Sequence, residues 1–199
     1  MNKNKEITFP DKKLEYAIRK KFHKFGEPLY TKDFEDITRI DFYYCQLTDI
    51  TGLEYFKNLK TLLLWVNYLT DITPLAKLTN LETLNLMHNE ITDIKPLSKL
   101  TNLKVLDIGE NKIINISPLS KLVNLEYLNI NTNQITSIAP LSKLTKLKHL
   151  NIYNNKITSF KPLLKLTNLG ELNDDKITIE RLQRIALSKP NRIKNIKIY

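Results

Sequence analysis

The side chains in this 199-residue sequence that most often carry catalysis or bind metals are few. They are three histidines, one cysteine and one adjacent pair of aspartates: His23, His88, His149, Cys45, Asp174 and Asp175. The histidines lack the close spacing of metal ligands, and the two aspartates would point to opposite sides of an extended segment. Only four glycines are present, and they form no phosphate-binding loop. We therefore predict that the protein is not an enzyme and that it holds no metal and no cofactor.

A second group of residues has the chemistry of protein recognition. Aromatic, methionine and large aliphatic side chains bury much area at modest entropic cost when they anchor a partner. The sequence contains such residues, with one histidine, at related positions of a repeating pattern: Tyr43, Leu63, Trp65, Met87, Tyr127, His149 and Tyr153. If one face carries them, they predict a site that binds a protein. The alternative is that they are packing neighbours, or are covered by a loop or by a second copy of the chain.

The pattern that must position these residues is a 22-residue repeat. Proline recurs at this interval, with Gly52 one period before the first of them: Pro74, Pro96, Pro118, Pro140 and Pro162. Within a unit the apolar residues are first two apart, as on one face of a strand, and then three apart, as in 3₁₀-like turns. A unit this short cannot bury its own leucines, so the copies must stack into a parallel sheet over a leucine interior.

One polar residue recurs inside this apolar pattern. Asparagine follows each strand, and Cys45 fills the same place in the first unit: Asn67, Asn89, Asn111, Asn133 and Asn155. An amide carries both donors and an acceptor, so it can satisfy backbone groups that the turn out of a strand would otherwise bury unpaired. We predict a structural asparagine column, with Cys45 as a small buried side chain that closes its first position.

The unit L-x-x-L-x-L-x-x-N-x-I-x-x-I-x-x-L-x-x-L over residues 38–173 resembles the 22-residue leucine-rich repeat of bacterial internalin-like proteins. It is also similar to the repeat of a eukaryotic phosphatase-regulating relative. The stretches "FPDKKLEYAIRKKF" and "YTKDFEDITRIDFYYCQLTDI" resemble the helical cap that precedes such repeats in bacterial members. The resemblance implies an α/β fold: a right-handed leucine-rich-repeat solenoid with a parallel concave β-sheet, an N-terminal helical cap and a C-terminal helix/strand cap. The abundance of Lys, Ile and Asn agrees with a bacterial source.

We expect one domain with three parts, which are an N-terminal cap at 1–37, repeats at 38–173 and a C-terminal cap at 174–199. In the first cap, Pro10 suits the first helical position and Asp11 the helix N-terminus, and an apolar stripe follows: Leu14, Ile18, Phe22 and Phe25. In the second cap we expect a helix that begins at Thr178, and then a strand; the inward side chains are Ile179, Leu182, Ile185, Ala186, Ile196 and Ile198. Caps at both ends predict a complete domain and a monomer.

The net charge of +10 is concentrated at the two ends of the sequence. Residues 1–24 hold eight Lys/Arg against three Asp/Glu, residues 176–199 hold seven against one, and residues 25–175 are nearly balanced. The basic caps leave open a binder of nucleic acid or of an anionic surface, although nucleic acid is not the partner we expect. A lysine ladder in the return arcs is interpreted as a solvated face, because such positions are polar in every copy: Lys77, Lys99, Lys121, Lys143 and Lys165.

These patterns together predict a noncatalytic protein-protein interaction module that binds a partner protein on its concave face. An inhibitor or immunity-type protein that occludes a toxin or an enzyme would use the same face and is the first alternative. Because the sequence has neither a signal peptide nor a run of about 18 apolar residues, we expect a cytoplasmic protein without a transmembrane segment. A secreted or host-directed protein stays open if a leader is missing or if export uses another route.

Overall fold

The computed structural model of the protein describes residues 4–177 and 197–198. One helix, α1 (Lys12–Phe22), and an antiparallel pair of strands, β1 (Glu6–Ile7) and β2 (Leu29–Tyr30), precede the repeats. The repeats then supply seven three-residue strands: β3 (Arg39–Asp41), β4 (Thr61–Leu63), β5 (Thr83–Asn85), β6 (Val105–Asp107), β7 (Tyr127–Asn129), β8 (His149–Asn151) and β9 (Glu171–Asn173). With β10 (Lys197–Ile198) they form one parallel sheet in chain order.

Each strand returns to the next through an arc that contains a short 3₁₀ helix. Five of these helices have proline in the first turn, where no intrahelical donor is needed: Thr73–Lys77, Lys95–Lys99, Ser117–Lys121, Ala139–Lys143 and Lys161–Lys165. The first arc of the solenoid uses the shorter 3₁₀ helix Leu53–Tyr55, and the cap has another at Thr31–Phe34. The leucines spaced three apart along the arcs are buried, which is why the arc follows the tighter helix.

The sheet is in register with the repeat, so each residue pairs with the residue 22 positions later. Leu84, for example, lies between Leu62 and Leu106 on the neighbouring strands, and all three are fully buried. Side chains of equivalent positions therefore form straight columns across the sheet. This architecture confirms the predicted α/β leucine-rich-repeat solenoid.

The exits of six strands, β3 to β8, each contain a residue with a left-handed backbone that the sequence did not reveal. The φ angles lie between 49° and 56°, and none of the residues is glycine: Tyr44, Val66, His88, Glu110, Thr132 and Asn154. This conformation costs a β-branched residue such as Val66 more than it costs Asn154. The turn places the following residue of the chain, the member of the asparagine column, with its side chain inside the solenoid.

The N-terminal cap is joined to the first repeat by the carboxylate of Asp11. Its Oδ1 accepts hydrogen bonds from the N–H groups of Lys13 and Leu14, which caps α1. Its Oδ2 accepts from the Thr48 N–H and Oγ1 and from the Asp49 N–H, in the loop that follows the first strand of the solenoid. One side chain therefore begins the helix and fixes it to the repeats.

The structure differs from the expected cap helix at both of its ends. Asp11 is the N-cap, so Pro10 precedes the helix instead of occupying its first position. The helix ends at Phe22 because His23 has a left-handed backbone (φ 54°), and the apolar stripe therefore stops one turn early. Phe25 is consequently 57% exposed and packs against the exposed ring of Tyr16.

Gly52 takes the place of proline in the first repeat because the cap packs directly onto it. A Cβ atom at this position would lie 2.5 Å from the ring of Phe9, which is buried, and the backbone has a φ of 105° that side chains rarely adopt. At the other end of the chain, the expected helix from Thr178 and the side chain of Ile196 lie outside the described residues. Ile198 pairs with Leu172 through β10 and packs partly buried against the core.

Candidate protein-binding face

Three columns of side chains face outward from the concave sheet. The column that precedes the first buried strand residue contains Thr61, Thr83, Val105, Tyr127 and His149, and the middle column contains Leu63, Asn85, Asp107, Asn129 and Asn151. The third column follows the second buried residue and contains Tyr43, Trp65, Met87, Gly109, Asn131 and Tyr153. Recognition residues predicted from the sequence occupy all three columns, but they gather at two places.

The N-terminal patch consists of Tyr43, Leu63, Trp65 and Met87. The rings of Tyr43 and Trp65 are stacked, with centroids 4.9 Å apart and planes 9° from parallel. Tyr43 is 52% exposed, whereas Leu63, Trp65 and Met87 are half-buried. The stack holds both rings in one orientation before any partner arrives, so less rotamer entropy is lost on binding.

Beside this patch, at the strand exits, lies a small depression. It has a volume of about 210 Å³ and is lined by Tyr44, Gln46, Val66, Asn67, Tyr68 and His88. Tyr44 and Tyr68 are 73% and 55% exposed, so the aromatic surface continues from the concave strands around their exit edge. The depression is large enough to take one side chain of a partner.

The C-terminal cluster consists of Tyr127, His149 and Tyr153. The rings of Tyr127 and His149 are 6.2 Å apart, and His149 Nδ1 lies 2.8 Å from Glu171 Oε2. Tyr127 is 38% exposed and Tyr153 46% exposed. The cluster is three to four strands away from Trp65, which corresponds to roughly 14–19 Å at the usual strand spacing.

The surface between the patch and the cluster is polar. In the middle column, Oδ1 of Asn85, Asp107, Asn129 and Asn151 accepts a hydrogen bond from the backbone N–H two residues later. Burial raises the pKa of the Asp107 carboxyl, although hydrogen bonds from the Gly109 N–H and the Asn129 side chain oppose the change. In the described part of the chain, Asp107 has no cationic partner. The carboxylate is therefore an unpaired negative charge near the centre of the concave face.

The side chain of Asn131 covers Gly109, next to Asp107. A Cβ atom on Gly109 would lie 1.9 Å from Asn131 Oδ1, so only glycine leaves room for the amide there. Asn131 Oδ1 is buried and has no hydrogen-bond partner.

The asparagine column lies inside the solenoid and links consecutive repeats. Asn67 Nδ2 donates to the carbonyl oxygens of Phe42 and Leu64, both at 2.9 Å, and Asn67 Oδ1 accepts from the Leu47 N–H at 2.9 Å. The same bonds recur around the four later members: Asn89, Asn111, Asn133 and Asn155. All five side chains are at most 8% exposed.

Cys45, at the first position of this column, is half-buried and not fully buried as expected. Its neighbour on one side is the cap helix and not another repeat, and an apolar groove of about 450 Å³ runs between the two. Burial, followed by the charge of Asp41, raises the pKa of the Cys45 thiol, so the thiol stays protonated near neutral pH. Cys45 therefore fills the position without reproducing the hydrogen bonds of an amide.

The comparisons with known proteins agree with this geometry. Models of paired leucine-rich repeats match residues 57–99, 79–121 and 101–143, and a model of a single leucine-rich repeat matches residues 146–169. The crystal structure of an internalin C2 from Listeria monocytogenes is 30% identical over 100% of this chain and 99% of that one, with a TM-score of 0.69. The chain belongs to the internalin family of leucine-rich-repeat proteins.

A second internalin, internalin F from Listeria monocytogenes, is 34% identical with a TM-score of 0.84 over 89% of this chain. This chain spans 54% of the length of the internalin F structure. A leucine-rich-repeat protein from Leptospira interrogans is 29% identical over 77% of this chain and 40% of its own, with a TM-score of 0.67. Among curated proteins, no relative matches the chain.

The structure of this internalin contains a second asparagine column that the sequence analysis missed. Its members donate from Nδ2 to a backbone carbonyl 23 residues earlier, at 2.7–3.0 Å: Asn58, Asn80, Asn102, Asn124 and Asn168. Lys146 replaces asparagine in one repeat and donates to Asn124 Oδ1 instead. The 22-residue spacing of these asparagines in the sequence could have predicted the column. Because they are mostly exposed, their sequence positions resemble ordinary solvated ones.

Within residues 4–177 and 197–198, no three His, Cys, Asp or Glu side chains come together as a metal site requires. No helix in these ranges has the length and apolar character to cross a membrane.

Proposed function

We propose that this internalin-family chain is a noncatalytic module that binds a partner protein on its concave face. The observation that carries the proposal is the stacked pair Tyr43 and Trp65, whose rings lie 4.9 Å apart just beyond the ends of β3 and β4, with Tyr43 52% exposed. Leucine-rich-repeat proteins bind protein partners. Rigid aromatic groups at the centre of a recognition surface supply most of the binding energy in such complexes.

The composition of the face indicates the chemistry of the partner. The N-terminal patch needs an apolar or aromatic anchor, and the Asp107 carboxylate, two strands from Leu63, needs a donor or a cation. The face is an open sheet that spans eight strands, roughly 35 Å at the usual spacing. A surface of this extent suits a protein better than a small molecule.

The experiment compares capture of proteins by the wild type with capture by two alanine variants. Trp65→Ala removes half of the stack, and Phe25→Ala removes a more exposed aromatic ring from the cap, away from the sheet. We expect Trp65→Ala to weaken the affinity of the captured partner by about 2 kcal/mol, close to 30-fold, and Phe25→Ala to leave it within about twofold. Circular dichroism of both variants checks that they fold.

Either of two results would overturn the proposal. One is a partner whose affinity is the same for wild type and Trp65→Ala. The other is a partner lost equally by both variants. If the captured partner is an enzyme or toxin, its activity is measured with saturating chain, because a fall in activity would identify an inhibitor that uses the same face.

A further inference from the structure

Within the repeats, the positive charge lies in the second half. Residues 25–110 contain 8 basic and 13 acidic residues, a net charge of −5, whereas residues 111–175 contain 8 basic and 4 acidic residues, a net charge of +4. Between positions 111 and 170 there are eight lysines and a single acid, Glu126. The net charge of the repeats as a whole is close to zero because the first half is acidic and the second half is basic.

The lysines of the second half are on the arcs and largely unpaired. Lys148 pairs with Glu126 at 2.6 Å, and Lys112 reaches back to Glu90 at 3.0 Å. Within the described residues, the other six have no carboxylate within 4.0 Å, and all of them are exposed: Lys121, Lys143, Lys146, Lys156, Lys161 and Lys165. A solvated face that only needed polarity would mix both signs, as the arcs of the first half do with Asp71, Asp93 and Glu90.

Four of the unpaired lysines lie on the 3₁₀ helices of the return arcs, away from the concave sheet. Lys121, Lys143 and Lys165 each end the 3₁₀ helix of consecutive arcs, so they form a straight column, and Lys161 begins the last of these helices. A column parallel to the solenoid axis can lie against a flat surface along its whole length. The concave face would remain free.

A shallow depression lies between the last two arcs. It has a volume of about 360 Å³, and its side-chain polar groups are hydroxyls and two ammonium groups, among them Ser137, Ser142, Ser159, Lys161 and Lys165. Its lining contains no carboxylate. The Ser142 and Thr158 hydroxyls already donate to the Ala139 and Thr136 carbonyls, so Lys161 and Lys165 supply the charged donors for an oxyanion such as a phosphate.

Two exposed aliphatic side chains accompany the lysines. Ile114 is 59% exposed and Val123 is 47% exposed, both on the arc that also carries Lys112 and Lys121. The same three arcs, residues 112–125, 134–147 and 156–169, contain no arginine, and the only aromatic residue in them is the buried Phe160. Readers of nucleic acids typically use aromatic stacking and arginine, whereas lysines beside aliphatic side chains suit anionic lipid headgroups.

We propose that the convex arcs of the C-terminal half form a docking surface for an anionic phospholipid membrane. The lysine column and the depression contact lipid phosphates, and Ile114 and Val123 lie at the level of the headgroups. The attraction is electrostatic and local, so it depends on where the lysines lie and not only on the net charge.

The test uses the full chain and vesicles of phosphatidylcholine with about 30% phosphatidylglycerol, with pure phosphatidylcholine vesicles for comparison. We expect co-sedimentation with the anionic vesicles at 0.1 M NaCl, release at 0.5 M NaCl and no binding to the neutral vesicles. The variant with Lys121, Lys143, Lys161 and Lys165 replaced by Gln should bind about 100-fold more weakly or worse, since each lysine near such a surface contributes roughly a factor of five.

The matched control removes the same charge from the arcs of the first half, by replacing Lys57, Lys77, Lys95 and Lys99 with Gln. We expect its binding to change by less than about tenfold. Far-UV circular dichroism and the melting temperature of each variant check folding. Absence of binding by the wild type, or equal losses in the two variants, would overturn the proposal. Tighter binding to heparin or duplex DNA than to the vesicles, lost with the same four lysines, would assign the face to a soluble polyanion and overturn the membrane as its partner.

Discussion

Removing one amide from the asparagine column tests how the solenoid holds together. Asn111 joins its own repeat to the preceding one, is 8% exposed, and makes four hydrogen bonds. Its Nδ2 donates to the carbonyls of Leu86, Ile108 and Gly109 at 3.0, 3.2 and 3.0 Å, and its Oδ1 accepts from the Ile91 N–H at 3.0 Å. The substitution Asn111→Ala removes all four without introducing a new group.

The loss of stability depends on which backbone groups keep another hydrogen-bond partner after the substitution. The Ile91 N–H has no other acceptor in the described structure, so it becomes a buried unpaired donor, which costs about 1–3 kcal/mol. Each carbonyl keeps a second donor: Asn89 Nδ2 for Leu86, Asn133 Nδ2 for Ile108 and the His88 N–H for Gly109. Their three shared bonds are lost at roughly 0.5 kcal/mol each. We expect Asn111→Ala to lower the free energy of unfolding by about 3 kcal/mol.

The matched control is Asn102→Ala in the second asparagine column. Asn102 is exposed and donates one hydrogen bond, to the Thr79 carbonyl at 2.9 Å, which water can replace. We expect a loss of about 0.5 kcal/mol. Urea unfolding followed by far-UV circular dichroism gives both free energies. If the unfolding free energies of the two variants differ by less than about 0.5 kcal/mol, the buried N–H group left without an acceptor does not determine the stability of the column. That result would refute the reasoning.

Two further predictions concern carboxylates. Burial opposes ionisation of Asp11, but four backbone N–H groups hold its pKa below the usual 3.8, so its stabilisation is present above that pH and is lost as the pH falls through the lower folded value. Asp11→Ala should therefore lower the free energy of unfolding by about 2–3 kcal/mol at pH 7. Urea titrations should show a smaller difference between wild type and variant at pH 2 than at pH 7. A difference that does not depend on pH would contradict the role given to the Asp11 carboxylate. Burial raises the pKa of Asp107, so its charge destabilises the fold above 3.8. The substitution Asp107→Asn keeps the hydrogen bond from the Gly109 N–H and removes the charge. It should raise the free energy of unfolding by about 0.5–1 kcal/mol at pH 7 and leave it unchanged well below pH 3.8. A loss of stability at pH 7 would show that the charge has a partner.

The repeat explains why so much of the fold could be predicted. Five prolines and five asparagines recur in register, and a period of two followed by a period of three admits only a short strand and a tight arc. The outward positions followed from strand alternation alone, because the strand register is the repeat length itself. The stacking of Tyr43 on Trp65 could not be foreseen in the same way, since it depends on rotamers that the pattern leaves free.

The errors of prediction lie where one residue changes the backbone. His23 ends the cap helix in a left-handed conformation, and no glycine marks the position, so Phe25 was placed on a helix that had already ended. The six strand exits have the same conformation with residues as unsuited to it as Val66. In both cases tertiary packing overrides the backbone preference of the residue, and the residue type alone does not predict this.

The middle column of the concave sheet contains one residue, Leu63, that departs from the type found in most repeats. At Asn85, Asn129 and Asn151 the side chain accepts a hydrogen bond from the N–H two residues later, which helps to end the strand. Leu63 occupies the same column and has no oxygen to offer the Trp65 N–H, so this repeat lacks the bond that Asn85, Asp107, Asn129 and Asn151 make in the next four repeats. In return, it extends the apolar surface on which the Tyr43–Trp65 stack lies. Since the fold alone would favour asparagine there, the departure at Leu63 supports selection for binding at the N-terminal patch.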